Sequence, residues 1–184
     1  RIGFTVAAGR QIVGVDLGIV VDDGSSDATG RLAREVGAVV VSHPRNRGKA
    51  AAMATGARVA ADRDVRDPTM NRRPRQLLFV DADLEGSAAN MAVLIAPVAS
   101  GDVDMTMATL PPQLTAGSGH GFVVRLARDG IESLTGWTST QPLSGIRCLA
   151  REALDAASPL ARGGGVGGGL PREVPGPGVR ARAG

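Results

Sequence analysis

The residues most suited to chemistry are four aspartates in two short clusters. Asp22 and Asp23 adjoin in "VVDDGSSDATG" (20–30), and Asp81 and Asp83 flank Ala82 in "LLFVDADLEG" (77–86). Adjacent carboxylates at the end of an apolar run repel each other, which costs stability unless something binds there. In an extended chain side chains repeat every second residue, so Asp81 and Asp83 are expected on one face. Such a pair is a hard oxygen donor set for Mg or Mn, ions that take one or two protein carboxylates together with substrate phosphates. Taken singly, each cluster also suits a strand that merely ends at the surface, and Asp22 or Asp23 also suits a turn or a helix cap. Lys49 follows Gly48 at an expected helix start, where an anion is favoured. The plainer reading of Lys49 is a solvated charge.

These residues need a scaffold, and the hydrophobic pattern supplies one. Residues 16–22 read as a buried strand ending at the aspartates, and "SSDATGRLAREVG" as a helix with Ser26 or Asp27 at its N-cap and Gly37 as its stop. The alternation continues with a strand at 38–43, an alanine-rich helix at 46–63, a strand at 76–84, a helix at 87–98 and a strand at 103–109. Strands alternating with helices predict an α/β fold with a parallel sheet between helical layers. Ligands of such sheets lie outside the carboxyl ends of the strands, where both acidic clusters fall. The charge-dense segment 62–75 reads as an exposed loop. The tail from 163 carries nine glycines and three prolines in 22 residues and reads as loose.

Composition narrows the partners. The 184 residues are 43% hydrophobic, which suits one soluble domain. The longest apolar runs fall short of the roughly 18–20 residues of a membrane helix, and the opening residues lack the basic-then-apolar order of a signal. A cytoplasmic protein is expected. The single cysteine, Cys148 in "IRCLA", has no partner for a disulfide and reads as a core or helix residue. Lysines and arginines cluster at 45–49, 63–75 and 172–182, yet aromatics are only 2%, which leaves nothing on which bases would stack. Nucleic acid is therefore not the expected partner. Phosphate on a small ligand is.

Taken together, "VVDDGSSDAT", "HPRNRGKAAAMATGA" and "LLFVDADLEG" resemble, in order and spacing, the nucleotide-binding half of family 2 glycosyltransferases of the GT-A type. That group includes polyprenyl-phosphate mannosyltransferases and glucosyl-3-phosphoglycerate synthases. The resemblance covers about residues 1–109, and "TQPLSGIRCLARE" (140–152) is similar to the family's acceptor-side segment. It implies one GT-A domain over 1–162, with a nucleotide half at 1–109 and an acceptor half at 110–162, followed by the tail 163–184. It implies a nucleotide-sugar donor, a phosphorylated small molecule or polyprenyl phosphate as acceptor, and a divalent cation, Mg or Mn. A lipid acceptor would add peripheral contact with a membrane. Asp23 would contact base or ribose, Asp22 and Ser25 would shape the loop, Lys49 would lie near the nucleotide, and Asp81 and Asp83 would form the metal motif.

Around His120 and Arg125, "GSGHGFVVRLAR" (117–128) reads as a loop entering a helix in which these two residues could meet diphosphate or acceptor, an exposed loop histidine being the other reading of His120. Gln141 and Ser144 are candidates for acceptor positioning. The family's opening strand, with its proline and Asn-Glu pair, is not found before "RIGFTVAAGR", and its later aromatic segment and metal-binding histidine are not found in "PLARGGGVGGGLPREVPG". The expectation is a chain incomplete at both ends or crippled in catalysis, with no catalytic base assigned. Two alternatives stand beside the transferase: a module that holds a sugar nucleotide without turnover, and a nucleotidyltransferase, which would release pyrophosphate.

Overall fold

The computed structural model describes residues 1–68, 74–108, 145–156 and 181–183, the last three as backbone. The chain opens with helix α1 (Ile2–Arg10), then strand β1 (Ile19–Asp22), helix α2 (Thr29–Glu35) and strand β2 (Val39–Ser42). β1 and β2 pair in parallel from Ile19↔Val39 to Asp22↔Ser42, with α2 as the crossover between them. α2 ends in a Schellman turn: Gly37 N–H donates to the Arg34 carbonyl and Ala38 N–H to the Ala33 carbonyl. Gly37, at φ +83°, takes the left-handed position that this turn requires. The N-cap residue is Ala28 rather than Ser26 or Asp27. Asp27 acts one residue earlier, its carboxylate accepting Thr29 N–H at 2.9 Å.

Helix α3 (Lys49–Arg66) leads to strand β3 (Leu77–Phe79). α3 runs through 62–66, and Arg75 is no exposed loop residue either, so the loop expected over 62–75 is corrected at both ends. The charges that suggested solvent pair with one another. Arg75 reaches Asp16, Asp64 and Asp67, and Arg151 joins them through Asp64. A buried guanidinium needs such partners, and the Arg75 side chain is only 14% exposed.

The helix expected over 87–98 divides into a 3-10 helix (Glu85–Leu94) and a short α-helix, α4 (Ile95–Ala99). Pro97 accounts for the restart. It has no N–H for an interior helical bond, but in the first turn of α4 none is needed. Strands β4 (Met105–Met107) and β5 (Arg147–Leu149), helix α5 (Arg151–Ala156) and strand β6 (Ala181–Ala183) complete the described elements. β6 lies in the tail expected to be loose and pairs in parallel with β4.

The second sheet has the order β3-β5-β4-β6. β5 runs antiparallel to both β3 and β4, so this sheet is mixed while β1–β2 and β4–β6 are parallel. Its core gathers Leu94, Val98, Ala108, Ile146 and Cys148. Each fully buried aliphatic side chain there is worth roughly 1.5–3 kcal/mol. Cys148 is a core residue of β5, and burial pushes its thiol up to about 11, which leaves it inert. Residues 2–10, ahead of β1, are helical. Among the described residues β1 pairs only with β2 and β3 only with β5. A cavity of about 850 Å³ separates the two sheets, walled by β1, β3, α1 and α3.

Candidate functional site

Three chain segments converge at the carboxyl ends of β1, β2 and β3. The first is the β1–α2 loop. Asp22 closes it by accepting Ser25 N–H at 3.0 Å, so the carboxylate shapes the turn in which Ser25 sits. Gly24, at φ +81°, lies so close to the next segment that a Cβ would stand 2.6 Å from the backbone of Arg45 and Asn46. Only glycine allows these two loops to touch.

Asp23 joins them chemically. Its carboxylate accepts Arg47 N–H at 2.9 Å, Gly48 N–H at 2.8 Å and a bond of 2.6 Å from His43 Nδ1. The His43 bond, with the two backbone amides, holds the Asp23 carboxyl below the usual carboxylate range against the opposing effect of partial burial. A carboxylate offers about four acceptor positions. Three donors are already present, so Asp23 acts first as a clamp on the β2–α3 loop and has little capacity left for a ligand.

Lys49 is the first residue of α3, and its ammonium pairs with Asp81 beyond the end of β3. No acidic residue stands in the first turn of α3, and the negative group at this positive helix end is the Asp23 carboxylate on the Gly48 amide. Gly145 permits the pair: a Cβ there would come within 2.6 Å of Lys49 Cε and 3.1 Å of Asp81 Oδ1. Asp81 also faces Arg147, which is fully buried in β5. Burial pushes that guanidinium down to about 10 while the charge of Asp81 works in the opposite direction. Lys49, Asp81 and Gly145 are among the residues lining the cavity between the sheets.

The Asp81-Ala82-Asp83 stretch is not extended, which corrects the one-face argument. β3 stops at Phe79, and Ala82 and Asp83 form a turn. Thr5 of α1 bends the chain there: its hydroxyl donates to the Ala82 carbonyl at 2.9 Å and accepts Glu85 N–H at 2.8 Å. Asp83 is exposed on this turn. Among the described residues no group of three or more histidine, cysteine or acidic side chains is placed to hold a metal. Two carboxylates suit an ion that fills its shell with water and phosphate oxygens rather than a protein cage.

His120, Arg125, Gln141 and Ser144 lie outside the described residues. Sequence reading missed His43, Thr5, Gly145 and Arg147. Their partners stand far along the chain, at residues 23 for His43, 82 and 85 for Thr5, 49 for Gly145 and 81 for Arg147. No short motif encodes such pairings.

A parallel β1–α2–β2 unit with polar groups collected at strand carboxyl ends is the arrangement of an α/β protein, and in such sheets that rim is where ligands bind. The sequence model of glycosyl transferase family 2 matches residues 16–117, more than half of the 184 residues, and the chain belongs to this family. The structure of glucosyl-3-phosphoglycerate synthase from Mycobacterium tuberculosis bound to phosphoglyceric acid is 28% identical at a TM-score of 0.67, covering 92% of this chain and 58% of that one. The same enzyme with Mn2+, UDP-glucose and phosphoglyceric acid is 27% identical at a TM-score of 0.66, with the same coverage. A crystal structure described as a mycobacterial protein is 30% identical at a TM-score of 0.67, covering 92% of this chain and 54% of that one. An uncharacterized protein of Methanocaldococcus jannaschii is 27% identical over 139 residues, 73% of this chain and 54% of its own length. The chain thus spans little more than half the length of these relatives. The fold is of the GT-A type.

Proposed function

We propose that this domain binds a nucleotide-diphosphate sugar and transfers its hexose to a phosphorylated acceptor with the help of Mg or Mn. The observation that supports this reading is the meeting of Lys49, Asp81 and the Asp23-clamped loop at the carboxyl ends of three strands. Asp81 and Asp83 would hold the cation, which when bound neutralises charge on the departing diphosphate. Lys49 would move from Asp81 to a phosphate oxygen. It is half exposed, so the exchange costs little desolvation. Asp22 and Ser25 would shape the pocket for base and ribose, with the remaining acceptor capacity of Asp23 directed to a ribose hydroxyl or a base N–H.

Glucosyl-3-phosphoglycerate synthase, crystallised with UDP-glucose and phosphoglyceric acid, makes phosphoglycerate the first acceptor to try. Phosphoglycerate would accept through its hydroxyl, which needs a base, whereas a polyprenyl phosphate would accept through a phosphate oxygen that is already a nucleophile. Among the described residues no helix is long and apolar enough to cross a membrane. The test is product formation from UDP-glucose or GDP-mannose with 3-phosphoglycerate and, separately, a polyprenyl phosphate in detergent. Release of nucleoside diphosphate with a glycosylated acceptor supports the reading. Pyrophosphate release from a nucleoside triphosphate would replace it with nucleotidyl transfer, and binding without product would replace it with a holding module.

A further inference from the structure

We propose that His43 is a positioning residue of this site: it ties the Asp23 carboxylate to Thr55 of α3 and thereby fixes the amides that lead into Lys49. The inference rests on the donor-site reading for its consequence in binding, while the tie itself stands on geometry. His43 immediately follows β2, and its side chain is 6% exposed. Both ring nitrogens are engaged, Nδ1 with Asp23 Oδ1 at 2.6 Å and Nε2 with Thr55 Oγ1 at 2.9 Å. An ionised carboxylate only accepts, so Nδ1 carries the proton of the first bond. In the neutral ring Nε2 then accepts the Thr55 hydroxyl proton.

The relay has an anchored end and a working end. Thr55 sits on α3, which also packs on β1. Asp23 grips Arg47 N–H and Gly48 N–H, the last two amides before Lys49. Gly48, at φ +88°, makes the sharp entry into α3 and gives the chain no stiffness of its own. Without the His43 bond, the Asp23 carboxylate would be held only by the loop that it is meant to hold. The loop that leads into Lys49 would then lose its side-chain tie to α3. The charge-assisted bond from a buried ring is the strongest link in this chain of contacts.

The test compares wild type, His43→Leu and His43→Asn by hydrogen exchange at the Arg47 and Gly48 amides and by titration with UDP in the presence of Mn2+. Leucine fills the space without donating, whereas the asparagine amide donates to Asp23. His43→Leu should speed exchange at both amides by about tenfold or more, leave β5 amides unchanged and weaken UDP by about tenfold. His43→Asn should keep both readouts within about threefold of wild type. Wild-type exchange in His43→Leu, or an asparagine variant as impaired as the leucine one, overturns the proposal. Should His43→Leu not fold, Thr55→Val removes only the far anchor. Faster exchange at Arg47 and Gly48 then sustains the tie, and unchanged exchange overturns it. If the wild type binds no UDP, the donor reading fails, and the exchange data still decide the role of His43.

Discussion

The Lys49 ammonium pairs with the Asp81 carboxylate, joining the N-terminus of α3 to the turn beyond β3. The partners are 49% and 34% exposed, so water screens the pair and its contribution to stability is small. Its placement matters more, because a diphosphate arriving there would take the lysine and free the aspartate for a cation.

Lys49→Ala should therefore change unfolding free energy by less than about 1 kcal/mol. It should also raise the dissociation constant for UDP about tenfold while leaving the manganese requirement in place. Calorimetric titration with and without manganese checks this, and an unchanged constant would return Lys49 to a solvated charge.

Gly145→Ala should displace the lysine without breaking the fold. The methyl group would press on the far end of a flexible side chain, which can swing away. The melting midpoint should shift by no more than about 2–4 °C, whereas UDP affinity should fall as it does in Lys49→Ala. The double variant tests whether both act through one contact, since coupled sites are not additive.

Gly24→Ala should do the opposite and damage the fold. Positive φ alone costs an L-residue about 1–2 kcal/mol, and here the added methyl meets rigid backbone at Arg45 and Asn46. A drop of roughly 4 °C or more in the melting midpoint is expected. A midpoint equal to that of wild type would mean that the two loops do not touch in solution.

Acid should loosen the same loops. The Asp23 carboxyl is held low, chiefly by the His43 bond and then by the backbone amides of Arg47 and Gly48. The unfolded chain therefore binds this proton more readily than the folded one. The stabilisation is fully present above the ordinary carboxylate value of about 4 and is lost as pH falls below it through the depressed folded value. Urea midpoints of wild type and Asp23→Asn should converge as pH falls below about 4. A constant gap there would remove Asp23 from the acid response.

Much of the frame was legible because β-branched runs end in polar turns: β1 and β2 fall inside the expected strands, and Gly37 stops α2 as anticipated. Local chemistry misled where distant partners intervene. The charges of 62–75 looked solvated because Asp16 and Arg151, which share in neutralising them, stand far along the chain. Asp81 and Asp83 looked like one strand face because Thr5, which turns the backbone between them, lies 77 residues before Ala82. The antiparallel β5 has three residues, too few to display a two-residue period. His43 read only as the last residue of the strand at 38–43, although its role comes from Asp23, 20 residues earlier, and Thr55, 12 residues later.

The most direct test of the donor site is the melting midpoint of the wild type and of Asp83→Ala against UDP and GDP, each with and without manganese. Asp83 is exposed, so its loss should leave the fold intact. At a hundredfold excess over the dissociation constant, binding adds about 2.7 kcal/mol, which raises the midpoint of a chain of this size by roughly 5–10 °C. The donor-site account predicts such a rise for one nucleoside diphosphate, only with manganese and only in the wild type. No manganese-dependent rise with either nucleotide on folded protein, or an equal rise in Asp83→Ala, would contradict it.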